Sequence, residues 1–406
     1  MTSQKITQSN YVGPFLTMVF LFLIIGFLTT ANGQFQGPLK ATFLAEAGSM
    51  KNTLATLITF SWFLAYPAFG WVGSRWIAHY GYKGTLIRGL VIMIIGLLLF
   101  FLSARLCVFA IFLLGSFVAG GSATILQVVI NPYLTACSVK GTQPVQRLAI
   151  GGTANAIGTT IAPYFVSGIV FGGLALEDVQ VSQLMTPFLV LSGVVLLIVI
   201  VLLRLSLPDI EGTHNEAGEK LEKSVWSFRH LTYGVVAIFF YVGCEICIGT
   251  NINLYVTESL GLEITTVTLM ATLYWGGLLV GRLLGSTIRT IPPRIQLTFT
   301  TVSASLLVIL AMIINNPWIL VAVGLFHSIM WGTIFTLAVA NLGKYTSAAS
   351  GVFMIGVVGG AILPLLQGVL ADWMGDWRWS WSIVLVGELV MLFYAQVGSR
   401  IRQTAE

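Results

Sequence analysis

The amino-acid sequence predicts an all-α membrane protein with twelve transmembrane helices in two pseudo-symmetric six-helix bundles. Only 9% of its 406 residues are charged and the mean hydropathy is +0.91, whereas a soluble domain carries about 25% charged residues. Apolar stretches of about 20 residues, the length that crosses ~30 Å of hydrocarbon, recur along the chain. One long polar stretch, residues 206–230, separates two sets of six such stretches.

Each apolar stretch is predicted to be a spanning helix, because lipid cannot satisfy the polar groups of a non-helical backbone. The predicted spans are 12–38, 53–74, 84–103, 107–136, 147–172, 185–205, 231–256, 264–288, 293–314, 317–340, 348–370 and 379–399. We expect the fourth span to be interrupted near Asn131–Pro132. The first span is too long for the apolar region of a signal peptide, and no small-residue cleavage site follows it.

The distribution of Lys and Arg predicts the orientation in the membrane. If the N-terminus is cytoplasmic, 16 of the 20 Lys and Arg residues fall in cytoplasmic segments and 4 fall outside. This asymmetry agrees with the positive-inside rule and predicts a multi-pass protein of the bacterial inner membrane with both termini in the cytoplasm. We predict an N-terminal bundle at 1–205, a cytoplasmic linker at 206–230 and a C-terminal bundle at 231–406.

The two halves repeat short motifs. Gly70 and Arg75 close the second span with the same spacing as Gly277 and Arg282 in the eighth. A twofold repeat of six helices with a central linker resembles the layout of the major facilitator superfamily, whose members work by alternating access.

Composition argues against an enzyme or a nucleic-acid-binding protein. No nucleophile–base set, metal-ligand cluster, phosphate-binding loop or dinucleotide fingerprint occurs in a suitable context, so no metal or cofactor is expected. The net charge of +5 comes from short gaps between apolar runs, where it orients helices. Glycine runs at 120–123 and 359–361 predict close helix packing. The expected partners are a small molecule and the lipid bilayer, and the expected state is a monomer.

Polar side chains within the predicted spans form the candidate substrate site. A polar group in hydrocarbon is costly, and a transport pathway is the usual reason for one. Amides four residues apart share a helical face and can donate to and accept from sugar hydroxyls, while aromatic rings can stack on a pyranose. The predicted substrate-binding residues are Asn32, Gln36, Gln127, Asn131, Asn155, Asn251, Trp275, His327 and Trp331. The alternatives are a helix end for the first pair, interhelical hydrogen bonding for the other amides and core packing for the aromatic residues.

Two acidic residues lie within the predicted spans of the second half. Glu245 stands in the otherwise nearly apolar stretch 241–250, which suits a proton carrier. Its alternative is a carboxyl group hydrogen-bonded for structural reasons. Glu388 lies in the middle of the twelfth span, where it either pairs with a polar group of its own half or is a second titratable site.

Several of these segments resemble the L-fucose–proton symporter family within the superfamily, and in particular its glucose/galactose transporter branch. GGSATILQVVINPY in the fourth span resembles the branch's G-G-x5-Q-x3-N-P-Y pattern, and YVGCEICIG in the seventh resembles Y-V-G-x-E-x-x-I-G. The resemblance covers nearly the whole chain. It implies a twelve-helix fold and monosaccharide uptake coupled to protons.

One departure from the family pattern affects the predicted coupling. The asparagine–aspartate pair of the family's first helix reads Asn32–Gly33 here, and Gln127 stands where the fucose member has a glutamate. We therefore predict that Glu245 carries the proton, with Glu388 or His327 as alternatives. A facilitative or sodium-coupled carrier, a metabolite or drug exporter of the same superfamily, and a membrane receptor are the rival functions. The row of amides argues against an exporter, and a receptor leaves the two-half layout unexplained.

Overall fold

The computed structural model describes residues 11–44, 48–137, 139, 140, 142, 144–174, 178–205, 207, 222–287, 291–342 and 345–401. Helices make up nearly all of this part of the chain, and no β-strand occurs in it. The predicted all-α fold is therefore confirmed. Residues 206 and 208–221 of the predicted linker lie outside the described residues, and the boundaries of the linker and the two bundles stay predictions.

Twelve helical segments in the described residues correspond to the predicted spans. In the first half they are α1 Val12–Phe43, α2 Gly48–Ile77, α3 His79–Leu106, α4 Phe109–Ala136, α5 Pro144–Tyr164 and α6 Met185–Arg204. In the second half they are α7 Arg229–Leu260, α8 Ile264–Thr287, α9 Pro293–Ile314, α10 formed by Pro317–His327 and Met330–Ala338, α11 Gly351–Met374 and α12 Arg378–Gly398.

Length and hydropathy identify most of these helices as membrane spans. In the described part of the chain, 10 helices are long and apolar enough to cross a membrane, and α10 makes 11 if its two parts form one span. The more polar α5 occupies the position of the predicted fifth span and continues as a π-helical segment over Phe165–Val170.

The predicted interruption of the fourth span is wrong. α4 continues through Pro132 as far as Ala136. A membrane helix tolerates an internal proline where neighbouring groups satisfy the backbone carbonyl that the proline cannot reach.

Two backbone irregularities lie next to polar side chains in α7 and α10. α7 contains a π-helical segment, Cys247–Asn251, and the two parts of α10 meet at an angle of 41° after His327. Side chains from other helices bond to both places. Gln34 Nε2 donates to the Gly249 carbonyl oxygen at 3.0 Å, and the Tyr241 hydroxyl lies 3.1 Å from the His327 carbonyl oxygen. Such contacts compensate for irregular backbone in a membrane helix.

Glycines permit the closest helix approaches, as the glycine runs predict. A Cβ atom at Gly120 would clash with the Trp62 carbonyl oxygen of α2, and one at Gly359 would clash with the Phe239 carbonyl oxygen of α7. Backbone approaches this close require a residue without a side chain.

The side of the molecule on which each bundle begins and ends is here called the terminal face. There the Cys137 thiol donates to the Tyr11 carbonyl oxygen, and the Tyr394 hydroxyl donates to the His230 carbonyl oxygen. Because successive spans cross the membrane in alternate directions, the ends of α1, α7 and α11 and the start of α2 lie on the other side, here called the opposite face.

Candidate functional site

Glu245 lies one helical turn after Tyr241 on α7, so both side chains point the same way. The Tyr241 hydroxyl is 2.9 Å from Glu245 Oε1. Arg282 of α8 places Nη2 3.8 Å from the same oxygen, and the two side chains are 13% (Glu245) and 30% (Arg282) exposed. Glu245 is therefore a partly accessible carboxyl group with a cation and a hydroxyl beside it.

His327 and Glu388 form a second, fully buried acid–base pair. His327 Nε2 is 2.6 Å from Glu388 Oε1, and both side chains have 0% exposure. On the other side of the imidazole ring, Nδ1 lies 3.0 Å from the Tyr274 hydroxyl, which is also 3.1 Å from the Glu245 carbonyl oxygen. A carboxylic acid and an imidazole at this distance can share a proton.

The structure thus joins three predicted residues, Glu245, His327 and Glu388, in one hydrogen-bonded cluster on α7, α8, α10 and α12. We call this cluster the C-half network. Its members are Tyr241, Glu245, Tyr274, Arg282, His327 and Glu388. His327, predicted to contact substrate, is enclosed within it.

The amides of α1 bond to neighbouring helices. Asn32 Nδ2 donates to the Ile58 carbonyl oxygen at 3.3 Å, and its Oδ1 accepts from Ser116 Oγ at 2.8 Å. Gln36 Nε2 donates to Thr59 Oγ1 at 2.6 Å. Both amides are buried, and in this conformation they hold α1 against α2 and α4.

The amides of α4 and α5 are more accessible. Gln127 and Asn131 are half-buried on one face of α4, and Gln127 Nε2 donates to the Tyr66 hydroxyl of α2 at 2.8 Å. Asn155 is also half-buried, and its Nδ2 donates to the Phe22 carbonyl oxygen of α1 at 3.0 Å. Gln127 therefore keeps its carbonyl oxygen and part of its amide surface for another partner.

Asn251 and Trp275 are buried in the second half. Asn251 Nδ2 lies 3.0 Å from Gln367 Oε1 and 3.2 Å from the Pro364 carbonyl oxygen, both on α11. The Trp275 indole packs against Gly249, and its Nε1 has no hydrogen-bond partner among the described residues.

Trp331 is half-buried on α10. Its ring stacks on Phe335, with centroids 5.5 Å apart and planes 14° from parallel. It is therefore the more accessible of the two predicted tryptophans.

The predicted site residues do not include Tyr241, Tyr274 and Arg282, which the structure places in the C-half network. Arg282 is one of the 16 Lys and Arg residues that the predicted orientation places on the cytoplasmic side, and its spacing from Gly277 repeats a motif of the first half. The four-residue interval between Tyr241 and Glu245 was the available signal for the tyrosine. Nothing in the spacing of Tyr274 indicates that it meets His327.

Hydrogen bonds join the two halves at the opposite face. Asp372 Oδ2 accepts from the backbone nitrogen and the hydroxyl of Thr53, each at 2.7 Å. Closer to the middle of the membrane, Gln34 Oε1 accepts from Asn253 Nδ2 at 2.5 Å.

An ion pair reinforces the same contact. Lys40 of α1 contacts Glu258 of α7, and its ammonium group also donates to Asn52 of α2. Among the described residues, the polar contacts between the halves lie toward this face.

Comparison with known proteins gives matches over most of the chain. The sequence profile of the Major Facilitator Superfamily matches residues 22–357. A glucose/galactose transporter of Brucella abortus biovar 1 (strain 9-941) is 32% identical over 402 residues, which cover 97% of this chain and 96% of that protein. The L-fucose-proton symporter of Escherichia coli (strain K12) is 24% identical over 402 residues, which cover 90% of this chain and 89% of that protein.

A solved structure has the same fold. The crystal structure of the E. coli fucose:proton symporter superimposes with a TM-score of 0.69 at 21% identity, covering 97% of this chain and 100% of that one. The similarity extends through both halves of the molecule.

Proposed function

The chain belongs to the major facilitator superfamily, a family of membrane transporters, and from this premise we propose that it imports a monosaccharide by proton-coupled alternating access. The observation that carries the proposal is the match to a glucose/galactose transporter over 97% of this chain. The resemblance predicted from the motifs is confirmed, and the protein is a transporter rather than an enzyme. We place it in the bacterial inner membrane with both termini in the cytoplasm, as its Lys and Arg distribution predicts.

The conformation supports alternating access. Three polar contacts hold the halves together toward the opposite face: Asp372–Thr53, Gln34–Asn253 and Lys40–Glu258. With cytoplasmic termini, that face is the periplasmic one. A carrier closed on the outside is in the inward-facing or the occluded part of the alternating-access cycle.

We assign sugar recognition first to the accessible amides of the N-terminal half. Gln127 and Asn131 share a face of α4 and are half-buried, so they can exchange their present surroundings for sugar hydroxyls. Trp331 provides an accessible aromatic face on α10. Asn32, Gln36 and Asn251 are engaged in interhelical hydrogen bonds, so their contact with substrate requires movement of the helices they join.

Facilitated diffusion is the second candidate, because Gly33 replaces the acid of the family's first helix. A Cβ atom at Gly33 would clash with the Thr250 side chain of α7. This close packing excludes an aspartate at that position in the present conformation. Coupling to protons must therefore use a group elsewhere in the protein.

Transport by purified protein in proteoliposomes tests the proposal. We expect uptake of at least one radiolabelled monosaccharide from a panel containing glucose, galactose and fucose, and accumulation above the external concentration when the vesicle lumen is more alkaline. Saturable uptake that only equilibrates would identify a facilitative carrier. Accumulation that depends on a sodium gradient would identify a sodium-coupled one. Absence of uptake for the whole panel would refute the sugar assignment.

A further inference from the structure

The acidic residues within the membrane are confined to the second half. The sequences of α1 to α6 contain neither Asp nor Glu, whereas Glu245 and Glu388 lie well inside α7 and α12. Glu388 is fully buried, and its Oε2 has no hydrogen-bond partner among the described residues. A fully buried carboxyl group with one free oxygen is better tolerated as the neutral acid than as the anion.

Hydrogen counting shows how many protons the buried pair holds. A tyrosine hydroxyl has one hydrogen, and a carbonyl oxygen can only accept. The Tyr274 hydroxyl satisfies both of its contacts if it donates to the Glu245 carbonyl oxygen and accepts from Nδ1–H of His327. In this arrangement Nδ1 carries a hydrogen.

The contact between His327 Nε2 and Glu388 Oε1 then requires one further proton. Either Glu388 donates to a neutral imidazole, or an imidazolium donates to a carboxylate. Both forms have zero net charge and hold one proton more than a neutral imidazole beside a carboxylate. The reverse arrangement, with Tyr274 donating to Nδ1, deprives the Glu245 carbonyl oxygen of this bond. It also leaves either an uncompensated anion in an apolar interior or a proton on Glu388 Oε2, which has no hydrogen-bond partner among the described residues, and both are unfavourable.

The titratable and charged groups around the pair do not supply another counter-charge. Cys244 of α7 faces α12, where its thiol donates to the Val384 carbonyl oxygen at 3.5 Å. Tyr241 and Tyr274 are uncharged hydroxyl donors. Arg282 contacts Glu245 rather than Glu388. Of these neighbours, only His327 can balance the charge of Glu388, as an imidazolium. Otherwise Glu388 is neutral because it carries the proton itself.

Glu245 differs from Glu388 in two ways. Its side chain is partly accessible, and it controls a hydrogen bond at the bend of α10. When Glu245 is protonated it can donate to the Tyr241 oxygen, and Tyr241 can then donate to the His327 carbonyl oxygen. When Glu245 is ionised, Tyr241 donates to it instead, and Arg282 provides the counter-charge. The protonation of Glu245 therefore decides whether the carbonyl next to the 41° bend is hydrogen-bonded.

From this geometry we propose that His327 and Glu388 form the site that stores the coupling proton, and that Glu245 exchanges protons with water at the accessible end of the same network. The inference rests on the proposed sugar–proton symport. No covalent bond changes: the proton is held between Glu388 Oε1 and His327 Nε2 and enters and leaves the protein at Glu245. The hydrogen bonds between the two places end at backbone carbonyl oxygens, which cannot relay a proton, so water must carry the proton between them during the conformational change. Tyr241 and Tyr274 are positioning residues, because they orient the acids and the imidazole through hydrogen bonds.

Glu388→Gln tests the storage site in proteoliposomes. For one proton per sugar, an imposed difference of one pH unit should give the wild type about tenfold accumulation. Glu388→Gln should reduce this ratio to about one while retaining counterflow exchange, because glutamine preserves the shape but cannot release a proton. Glu263→Gln, which changes an exposed residue between α7 and α8, is the matched control and should accumulate sugar as the wild type does.

A second variant keeps the test decisive if Glu388→Gln does not fold. Tyr274→Phe removes one oxygen, the hydroxyl that sets the His327 tautomer, and should lower accumulation more than exchange. Unchanged accumulation in a folded Glu388→Gln overturns the storage site. If Glu388→Gln does not fold, unchanged accumulation in Tyr274→Phe overturns it. A wild type that only equilibrates sugar also overturns it but leaves the sugar carrier intact. A wild type that transports no monosaccharide instead refutes the proposed function itself.

Discussion

The Tyr241 hydroxyl has one hydrogen and two acceptors within reach, Glu245 Oε1 and the His327 carbonyl oxygen. This single hydroxyl connects an acid on α7 to the backbone of α10. Arg282 lies 3.8 Å from the same acid and favours its ionised form. Neighbours on two helices therefore act on the charge of Glu245, in addition to the apolar surroundings that its sequence predicts.

Glu245→Gln should abolish proton-driven accumulation and preserve sugar exchange. The amide can still donate to Tyr241 but cannot release a proton, so the energetic link to the pH gradient is lost. Accumulation and counterflow are measured in the same proteoliposomes, with Glu263→Gln as the control. If Glu245→Gln still concentrates sugar, the proton bypasses this residue.

Gln127→Ala should weaken sugar binding. A lost hydrogen bond that leaves its partner buried costs about 1–3 kcal/mol, or roughly 5–150-fold in the dissociation constant. Binding is measured by calorimetry on purified protein, with the sugar identified by the transport panel. Gln296→Ala, at the start of α9 where the side-chain amide donates to the Ile291 carbonyl oxygen, should bind like the wild type. Equal affinities in the two variants would assign Gln127 to helix packing.

At the scale of whole helices, glycines lie where two helices approach closely, and polar side chains bond to the helical backbone where it is irregular. Gly120 lets α4 contact the backbone of α2, and Gly359 lets α11 contact that of α7. Gln34 supports the π-helical segment of α7 by bonding to Gly249. In lipid, helix association depends on such packing and interhelical hydrogen bonds.

Gly120→Ala should destabilise the protein, because the added methyl group would clash with the carbonyl oxygen of Trp62 and force α2 and α4 apart. Overpacking of a tight contact typically costs about 1–3 kcal/mol. Thermal unfolding in detergent should show a lower midpoint than the wild type. Gly193→Ala on α6 is the control, since a Cβ atom there meets nothing within 4 Å. A midpoint for Gly120→Ala equal to that of Gly193→Ala would contradict the close packing.

For the whole molecule, the contacts between the halves determine which face is open. Asp372 of α11 bonds to Thr53 at the start of α2, where a carboxylate also suits the positive end of the helix dipole. The Lys40–Glu258 ion pair and the Gln34–Asn253 hydrogen bond act on the same side. Breaking them should favour the state that is open at the opposite face.

Asp372→Asn should shift the population toward that open state. The amide removes the charge at the helix start and replaces one acceptor oxygen with a donor, so the closed state loses stability relative to the open one. Spin labels at Met50 and Trp373, both exposed and in different halves, report the separation across this face. We expect a larger fraction of long distances in Asp372→Asn, whereas Asp376→Asn, farther along the α11–α12 connection, should leave the distribution unchanged. The same distribution in Asp372→Asn and the wild type would argue against this contact as a determinant of closure.

Much of the fold was predictable because the membrane imposes a simple rule on the sequence. Spans need a minimum apolar length, and lipid permits only helices, so hydropathy locates most of the helices within a few residues, the more polar α5 being the exception. The break at Asn131–Pro132 was mispredicted because proline disrupts a helix only when no neighbour compensates for the lost hydrogen bond. Motif spacing also predicted the family correctly, because the motifs in the Gln127–Tyr133 segment and in the seventh helix can be recognised without knowing how the helices pack.

The sequence by itself determined the helical membrane fold, the family and the identity of the acids available inside the membrane. Only the tertiary structure decided which groups those acids meet. Glu388 and His327 are 61 residues apart in sequence but 2.6 Å apart in space, and periodicity along one helix carries no information about the neighbour across an interface. For the same reason, only the packed bundle shows that Asn32 and Asn251 bond to other helices while Gln127 remains accessible. Hydropathy depends on each segment alone, whereas hydrogen-bond partners depend on how helices distant in sequence pack together.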